Sequence, residues 1–386
     1  MTGTRESITT SARVLFVVGT RPEAIKLAPV IRACQAFADQ VEPVVCFTGQ
    51  HREMLSQVAS HFEIEADVDL AVMQSDQSLA GLTGRCLEGL DAVLVKYRPD
   101  YVVAQGDTTT VLAASLAAFY RQTKFVHVEA GLRTGNLEAP WPEEFNRRVA
   151  SISARLHCAP TQWAADNLRA EGVSPDRIEV TGNTVIDALL WTLERERRSD
   201  APWPAQYAGM GERRLVLVTG HRRESFGAGF ESICRAIAEL ANEFAELHFL
   251  YPVHLNPNVR EPVQRLLGGL ANVQLVEPVP YPEFVWLMDR STLILTDSGG
   301  VQEEAPTLQK PVLVMRETTE RPEGVQAGAV RLVGTSVDGI VNQARLLLTD
   351  PLQYSRCIVE ENPYGDGQAA TRILNWICRD WESSQR

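Results

Sequence analysis

Short apolar runs alternate with amphipathic segments in the first half of the chain. The run 14–18 predicts a buried strand, and Thr20 and Glu23 have the spacing of a capping box at the start of a helix. One face of this predicted helix is apolar and is formed by Leu27, Ile31, Cys34 and Ala38. Further strands are predicted at 44–47, 101–104, 125–128 and 178–180, and helices near 53–62, 79–97, 111–120, 143–155 and 164–170. This alternation is typical of a doubly wound parallel α/β sheet.

The same alternation restarts in the second half of the chain. A helix predicted at 184–198 leads into 199–212, a stretch rich in Pro, Gly and Ala without apolar periodicity, which indicates a linker. Strands are then predicted at 215–218, 247–251, 273–276, 293–295 and 312–314, and 337–381 is predicted to be largely helical. A chain of 386 residues is too long for one ordinary domain. We therefore expect two Rossmann-like, doubly wound domains, 13–198 and 213–364. If these domains face each other, the crevices at their strand ends open onto one central cleft.

Two carboxylates follow consecutive predicted strands. Asp107 comes after the strand 101–104, and Glu129 comes after the strand 125–128. Sequential strands are usually neighbours in a parallel sheet, and ligands bind at the carboxyl ends, so both side chains are expected in one crevice. Glu143 follows near a predicted helix start. Acids that converge in a cleft can divide proton transfers between them, whereas an isolated acid is more often a helix cap or a surface charge.

A glycine-rich turn in the second half predicts an anion site. The segment TDSGG (296–300) follows a predicted strand and opens a helix, so Ser298, Gly299 and Gly300 would present backbone N–H groups to a negative ligand. An ordinary strand-to-helix turn has the same sequence features. Glu304, in the same predicted helix, either reaches the hydroxyls of a bound sugar or is a solvated carboxylate of the first turn.

Several cationic side chains are placed to bind phosphate. His221 follows the first predicted strand of the second half, beside two arginines, where it could neutralise or protonate a departing phosphate. Arg21 and Lys26 lie in the first predicted helix, and Arg321 lies in the segment TTERPEGV (318–325). Taken singly, the histidine is as readily structural and each cation is an ordinary surface charge.

The amino-acid composition argues against some classes of binding partner and indicates a cellular compartment. The net charge of −12 argues against binding to nucleic acid or to an anionic membrane. The cysteines are odd in number and contain no Cys-x-x-Cys pair, which indicates buried, reduced thiols. No apolar run approaches the roughly 20 residues that span a bilayer, and 14–18 is too short for a signal sequence. These features favour the cytoplasm.

The sequence contains no recognisable motif for a cofactor. The glycine turn after residue 18 does not have the pattern G-x-G-x-x-G, so the sequence gives no support for a dinucleotide cofactor. A P-loop motif is missing from the sequence, and the histidines do not show the spacing of metal ligands. The residues alone therefore predict a two-domain enzyme for a phosphate-bearing ligand, with no metal.

A set of motifs in a fixed order extends this prediction. They are GTRPEAIKLAPV (19–30), TGQHREML (48–55), GDTTT (106–110), HVEAGLRTGN (127–136), PWPEE (140–144), TGNTVIDALL (181–190), TGHRRESFG (219–227), YPVHLNPNV (251–259), DSGGVQEEAP (297–306) and TTERPEGV (318–325). Together they resemble the non-hydrolysing UDP-N-acetylglucosamine 2-epimerases, from about residue 13 to residue 378. The resemblance implies a glycosyltransferase-B-like architecture, with a C-terminal helix, here 365–382, that crosses back to the first domain.

The resemblance also implies an activity and a set of site residues. The activity is reversible conversion of UDP-GlcNAc to UDP-ManNAc, by elimination of UDP to a 2-acetamidoglucal and re-addition, which supplies ManNAc for cell-surface polysaccharide. The catalytic residues carried over by motif are Asp107, Glu129, Glu143 and His221. The substrate-binding residues are Arg21, Lys26, Phe284, Ser298, Gly299, Gly300, Glu304 and Arg321. Gln50, Arg222 and His254 lie in motifs that imply a second, allosteric substrate site, and the family implies a homodimer.

Three other functions are compatible with parts of this pattern. A glycosyltransferase of the same architecture would use the same UDP site together with an acceptor pocket. A hydrolysing epimerase would release free ManNAc and UDP, but such enzymes usually carry a sugar kinase domain. A regulator that binds a UDP-sugar would show no turnover. The three acids of the first domain favour an epimerase over the glycosyltransferase and over the regulator.

Overall fold

The computed structural model describes residues 11–49, 52–74, 76–198 and 202–385. The strands of these residues are β1 (Ala12–Val18), β2 (Val41–Phe47), β3 (Val68–Asp69), β4 (Tyr101–Gln105), β5 (Lys124–Val128), β6 (Ala154–Ala159), β7 (Ile178–Val180), β8 (Leu215–Thr219), β9 (His248–Pro252), β10 (Val273–Val276), β11 (Ser291–Thr296), β12 (Val312–Val314) and β13 (Val330–Leu332). The α-helices are α1 (Arg21–Ala33), α2 (Arg52–His61), α3 (Leu79–Tyr97), α4 (Thr109–Tyr120), α5 (Glu143–Ser153), α6 (Gln162–Ala170), α7 (Thr184–Arg198), α8 (Trp203–Gln206), α9 (Ala228–Glu243), α10 (Pro257–Leu267), α11 (Tyr281–Arg290), α12 (Gly299–Glu304), α13 (Pro322–Gln326), α14 (Val337–Thr349), α15 (Pro351–Ser355) and α16 (Ala369–Gln385).

Two parallel sheets organise these elements. In the described part of the chain, seven strands form one sheet in the order β3-β2-β1-β4-β5-β6-β7, and six form another in the order β10-β9-β8-β11-β12-β13. All of these strand pairs are parallel. The strand order reverses between β1 and β4 and between β8 and β11, and doubly wound sheets bind ligands at such a reversal. The predicted fold class, two Rossmann-like doubly wound sheets, is confirmed.

Contacts divide the chain into two compact units, and each is described by itself. The first comprises the described residues up to Ala188 and those from Gly365 onward, and the second runs from Leu189 to Tyr364. In the first unit, α16 packs against α1. The N–H groups of Ala369 and Ala370, at the start of α16, donate to the carboxylate of Asp187 at 3.3 and 2.9 Å. The domain boundaries and linker given by the sequence stay predictions.

Most predicted elements are confirmed, but the predicted helix 143–155 is wrong at its end. Helix α5 ends at Ser153, and Ala154–Ala159 form strand β6. Neither a glycine nor a proline separates the helix from the strand, so the sequence gives no local break there. The short strands β3 and β13 were also not predicted, because two or three residues are too few to show a period.

Each sheet has its own apolar core. In the first unit, Leu15 of β1 and Val102 of β4 pack with residues of α3 and α4 such as Leu90 and Val111. In the second unit, strand residues such as Val216 pack with α9 and α14. All seven cysteines are buried and free, as predicted. Over residues 11–49, 52–74, 76–198 and 202–385, none of the helices is both long enough and apolar enough to span a membrane.

Candidate active site

Glu129 follows β5 directly and is surrounded by hydrogen-bond donors. Its Oε1 lies 2.6 Å from Nζ of Lys26 and 3.3 Å from Nδ2 of Asn183. Its Oε2 accepts from the side-chain amide of Gln105. The residue is only 8% exposed, and its backbone has a φ of 63°, in the left-handed region that residues with a Cβ rarely adopt. A buried carboxylate on a strained backbone supports a functional role.

Asp107 lies between β4 and α4, and residues of α5 hold it. Nη2 of Arg147 is 2.6 Å from Oδ2 of Asp107, and Nδ2 of Asn146 donates to the Asp107 backbone oxygen at 2.9 Å. The carbonyl oxygen of Gly106 lies 2.7 Å from Nε2 of His127. Burial, partly offset by this hydrogen bond, lowers the pKa of His127 to about 3. The neutral ring therefore donates from Nε2, which fixes the turn that carries Asp107.

Glu143 is the first residue of α5, as predicted, and is half-buried. It precedes Asn146 and Arg147 by three and four positions, so the three side chains share one helix face. Because Asn146 and Arg147 contact Asp107, this face is directed toward the Asp107 turn. Asp107 and Glu129 follow the hydrogen-bonded strands β4 and β5. The structure therefore places all three predicted acids at the carboxyl edge of the first sheet.

Helix α1 begins at Arg21 and carries Lys26 five residues later, both next to the strand reversal. The predicted capping box is confirmed, because the N–H of Thr20 donates to Oε2 of Glu23 at 2.8 Å. The hydroxyl of Thr108, at the start of α4, donates to Oε1 of Glu23. Glu23 therefore ties the β1–α1 turn to the turn that carries Asp107. From the sequence, Glu23 was identified only as a helix cap.

The buried carboxyl group of Glu23 should make the free energy of unfolding depend on pH. Burial raises its pKa to about 7, although hydrogen bonds from Thr108, Thr20 and Gly19 oppose this shift. An acid with a raised pKa stabilises the fold fully below its unfolded pKa, near 4.5, and this contribution is lost as the pH rises through 7. Glu23→Gln cannot titrate at this position. Between about pH 5 and about pH 8, its free energy of unfolding should therefore rise by about 2 kcal/mol relative to that of the wild type.

Urea unfolding of wild type and Glu23→Gln at both pH values measures this difference. Glu88→Gln is the control, because Glu88 is an exposed glutamate of α3 in the same unit. Its difference from the wild type should not change with pH. A Glu23→Gln difference that is equally independent of pH would contradict the assignment of a titrating, buried carboxylate.

In the second unit, Ser298, Gly299 and Gly300 form the predicted turn from β11 into α12. The guanidinium of Arg321 lies directly over Gly299, since a Cβ added there would be 2.7 Å from its Cζ. A side chain at position 299 would therefore displace this guanidinium. Glu303, which is buried, accepts from Nε of Arg321 at 2.9 Å. Backbone N–H groups beneath a held guanidinium form an arrangement suited to a phosphate group.

Glu304 is the last residue of α12 and is buried, which excludes the alternative of a solvated first-turn carboxylate. The hydroxyl of Tyr281 donates to its Oε1 at 2.8 Å. Phe284 lies three residues after Tyr281 on α11 and is partly buried, so both side chains share a helix face. An aromatic ring and a carboxylate therefore lie near each other in the second unit.

His221 follows β8, next to the second strand reversal. Its ring stacks on that of His254, with centroids 5.4 Å apart and an interplanar angle of 13°. Burial lowers the pKa of His221; Asp297 opposes this shift, and His254 and Arg222 add to it. Two of the three residues predicted for an allosteric site thus lie around His221. The third, Gln50, falls outside the described residues.

The predicted site residues that the structure describes therefore lie at two sheet edges, one in each unit. Arg21, Lys26, Asp107, Glu129 and Glu143 belong to the first unit, and the remaining described ones belong to the second. The sequence analysis did not identify the residues that contact these predicted side chains. They are Gln105, Asn146, Arg147, Asn183, Asp297 and Glu303. Each lies in or beside a quoted motif, which is the signal that could have identified them. Among the residues that the structure describes, no group of three or more His, Cys, Asp or Glu side chains could hold a metal ion.

Comparison with known proteins identifies the family of this chain. The sequence profile of the family described as UDP-N-acetylglucosamine 2-epimerase matches residues 32–378. The UDP-N-acetylglucosamine 2-epimerase of Escherichia coli strain K12 is 54% identical over 366 residues, which cover 94% of this chain and 97% of the relative. A glycosyltransferase structure from Rickettsia africae, at 13% identity and a TM-score of 0.62 over 96% of this chain and 98% of its own, is similar in fold alone.

A solved relative also resembles the chain over nearly all of its length. The crystal structure of UDP-GlcNAc 2-epimerase from Neisseria meningitidis bound to UDP-GlcNAc is 48% identical and has a TM-score of 0.90. The match covers 95% of this chain and 100% of that one. The profile match begins after Arg21 and Lys26 and includes Asp107, Glu129, Glu143 and the predicted site residues of the second unit. This chain therefore belongs to the UDP-N-acetylglucosamine 2-epimerase family and is an isomerase.

Proposed function

We propose that this protein interconverts UDP-GlcNAc and UDP-ManNAc by inverting the configuration at C2 without hydrolysis. Family membership supports the substrate, and the relative from Neisseria meningitidis is described as bound to UDP-GlcNAc. The observation that carries the reaction type is the gathering of Asp107, Glu129 and Glu143 at one sheet edge. Acids grouped in this way are suited to proton transfer at a sugar carbon.

Elimination solves the main chemical problem of this reaction. The proton on C2 is only weakly acidic because C2 has no adjacent carbonyl. A carboxylate removes this proton while the bond from C1 to the UDP oxygen breaks. The C2–H electron pair forms the C1–C2 double bond of 2-acetamidoglucal, and UDP keeps the pair of the broken bond. A proton then adds to the opposite face of C2, UDP re-adds to C1, and no electrons are gained or lost.

The three acids differ in their surroundings, which supports a different catalytic role for each. Glu129 is engaged by Lys26, Gln105 and Asn183, which suits a fixed negative charge that stabilises positive character on the sugar ring. The Asp107 side chain is 28% exposed and is held on one side by Arg147. With Glu143 on the facing side of α5, it would supply the acid and base for C2.

The second unit would bind UDP. The turn Ser298–Gly299–Gly300 and Arg321 would hold phosphate oxygens, with His221 supporting the departing pyrophosphate. Phe284 would contact the uracil, and Glu304 would accept from the ribose hydroxyls. Arg21 and Lys26, in the first unit, would contact phosphate or sugar.

Positional isotope exchange tests whether the C1–O bond breaks. UDP-GlcNAc is prepared with ¹⁸O in the bridge between C1 and the β-phosphorus, and ³¹P NMR follows the label. Elimination frees the β-phosphate to rotate before re-addition, so the label should spread to non-bridging positions as UDP-ManNAc forms. Epimerisation with the label fixed in the bridge would contradict elimination. Release of ManNAc with UDP would instead indicate the hydrolysing reaction, and turnover only with an acceptor would indicate a glycosyltransferase.

A second substrate site is proposed at Gln50, Arg222 and His254. The stacking of His254 on His221 supports it, because a ligand that moves one ring would move the other. UDP-GlcNAc should then accelerate the reverse reaction at low UDP-ManNAc concentration. A hyperbolic rate curve for UDP-ManNAc that added UDP-GlcNAc leaves unchanged would exclude this site.

We also propose a homodimer and a role in supplying ManNAc for cell-surface polysaccharide, both implied by the resemblance. The consecutive packed helices α3, α4 and α5 leave large apolar side chains exposed, which supports a second copy of the chain as partner. They are Leu79, Val95, Phe119, Tyr120, Phe145 and Ile152. Sedimentation equilibrium should give twice the chain mass of 42.7 kDa. A monomer at micromolar concentration would contradict the dimer.

A further inference from the structure

Asp297 is a fully buried carboxylate that joins two strand ends of the second unit. It follows β11 and has 0% exposure. Its Oδ2 accepts from the backbone N–H groups of His221 and Arg222, at 2.7 and 2.8 Å. These bonds fasten the turn after β8 to the end of β11, on both sides of the strand reversal. One carboxylate oxygen therefore has a clear structural purpose.

The other oxygen of Asp297 does not share that purpose. Oδ1 is buried without a hydrogen-bond partner, and it lies 3.5 Å from Nδ1 of His221. A buried carboxylate oxygen that lacks a donor is costly, so it requires an explanation. A small movement of the His221 ring would bring Nδ1 into hydrogen-bond range, and such bonds are often long in proteins without bound substrate.

The His221 ring is confined in a way that suits this contact. His254 covers one ring face, and the side chain of His221 keeps 44% of its surface exposed. Within the part of the chain that the structure describes, the charged or titratable groups that act on the ring are Asp297, His254 and Arg222. A carboxylate beside Nδ1 selects the tautomer with its proton on Nδ1 and leaves Nε2 for a ligand.

We propose that Asp297 is a positioning residue that holds the proton of His221 on Nδ1, so that Nε2 is presented to the departing pyrophosphate. This inference rests on the proposed function, in which His221 contacts UDP. In the cationic ring, Nδ1–H donates to Asp297 and Nε2–H donates to a phosphate oxygen. Asp297 therefore acts through His221 and does not itself contact the substrate.

Asp297→Asn tests this assignment with little change of shape. The asparagine carbonyl oxygen can still accept the N–H groups of His221 and Arg222, whereas the amide places a donor where Oδ1 was. The neutral His221 ring should then carry its proton on Nε2, and its pKa should fall. Long-range ¹H–¹⁵N NMR of histidine-labelled protein reads both properties without substrate. His221→Gln identifies the resonance among the seven histidines.

The kinetic expectation is a loss in kcat with little change in KM. Loss of the carboxylate that selects a histidine tautomer costs about 10⁴-fold in a serine protease, and we expect at least roughly tenfold here because the contact is longer. Asp350→Asn is the matched control, because Asp350 caps α15 in the same unit and asparagine caps equally well. It should leave the His221 tautomer and kcat unchanged.

The wild-type spectrum alone can overturn the inference, even if Asp297→Asn does not fold. A neutral His221 ring with its proton on Nε2 in the wild type would contradict it, and so would the same tautomer in wild type and Asp297→Asn. If the ring behaves as expected but the wild type does not epimerise UDP-GlcNAc, the proposed function fails and the positioning of His221 by Asp297 stands.

Discussion

Asp107→Asn is expected to lower turnover by roughly 10²-fold or more while it preserves the fold and the binding of UDP. Asparagine has the shape of aspartate and can still accept from Arg147, and the backbone oxygen still accepts from Asn146. It cannot exchange a proton with C2. Glu144, whose carboxylate lies 3.6 Å from Arg147, continues to balance the buried guanidinium, so the fold should persist.

The measurement combines two assays on the same protein. NMR of UDP-GlcNAc conversion gives kcat, and titration calorimetry gives the affinity for UDP. Asp39→Asn, at an exposed aspartate of the same unit, should match the wild type in both. Near-normal turnover of Asp107→Asn would remove Asp107 from the mechanism. Loss of UDP binding together with turnover would indicate a structural role instead.

Glu129→Gln is expected to reduce both turnover and stability. Glutamine supplies one acceptor oxygen and one amide, so a donor would face either Gln105 or Lys26. The change also removes the carboxylate that pairs with Lys26 in a buried site, which should lower the free energy of unfolding by about 3–5 kcal/mol. Loss of the fixed charge should reduce turnover roughly 10²-fold or more.

A comparison with Glu171→Gln separates the two effects. Glu171 accepts from Arg133 at 2.8 and 2.7 Å in the same unit but outside the candidate site. Its replacement should lower stability while turnover remains at the wild-type level. Two results would contradict a catalytic contribution of Glu129. In one, the turnover of Glu129→Gln stays normal; in the other, it falls only in proportion to the loss of stability.

The positions of the acids could be predicted because they depend on topology. Parallel strands end at one edge of the sheet, so two acids after consecutive strands were expected together, and β4 and β5 place Asp107 and Glu129 there. The start of α5 was likewise predicted from the favourable position of Glu143 near a helix N-terminus. Periodicity and strand order therefore account for this part of the site.

The supporting side chains could not be predicted because their partners are distant in the sequence. Arg147 reads as a surface cation of a helix, yet it is buried and pairs with a residue 40 positions away. Gln105 ends a strand with no visible reason for a polar residue until Glu129 lies beside it. Glu304 carries no local signal that Tyr281 covers it. These contacts follow from packing between elements, which periodicity does not encode.

The most direct test of the account is NMR of the purified protein with UDP-GlcNAc in D₂O, observing the anomeric proton and the proton on C2. Inversion through removal and return of the C2 proton predicts that UDP-ManNAc appears with deuterium at C2. UDP-GlcNAc that stays intact, with no exchange at C2 and no new product, would contradict the central claim and favour a transferase or a protein that only binds the nucleotide sugar.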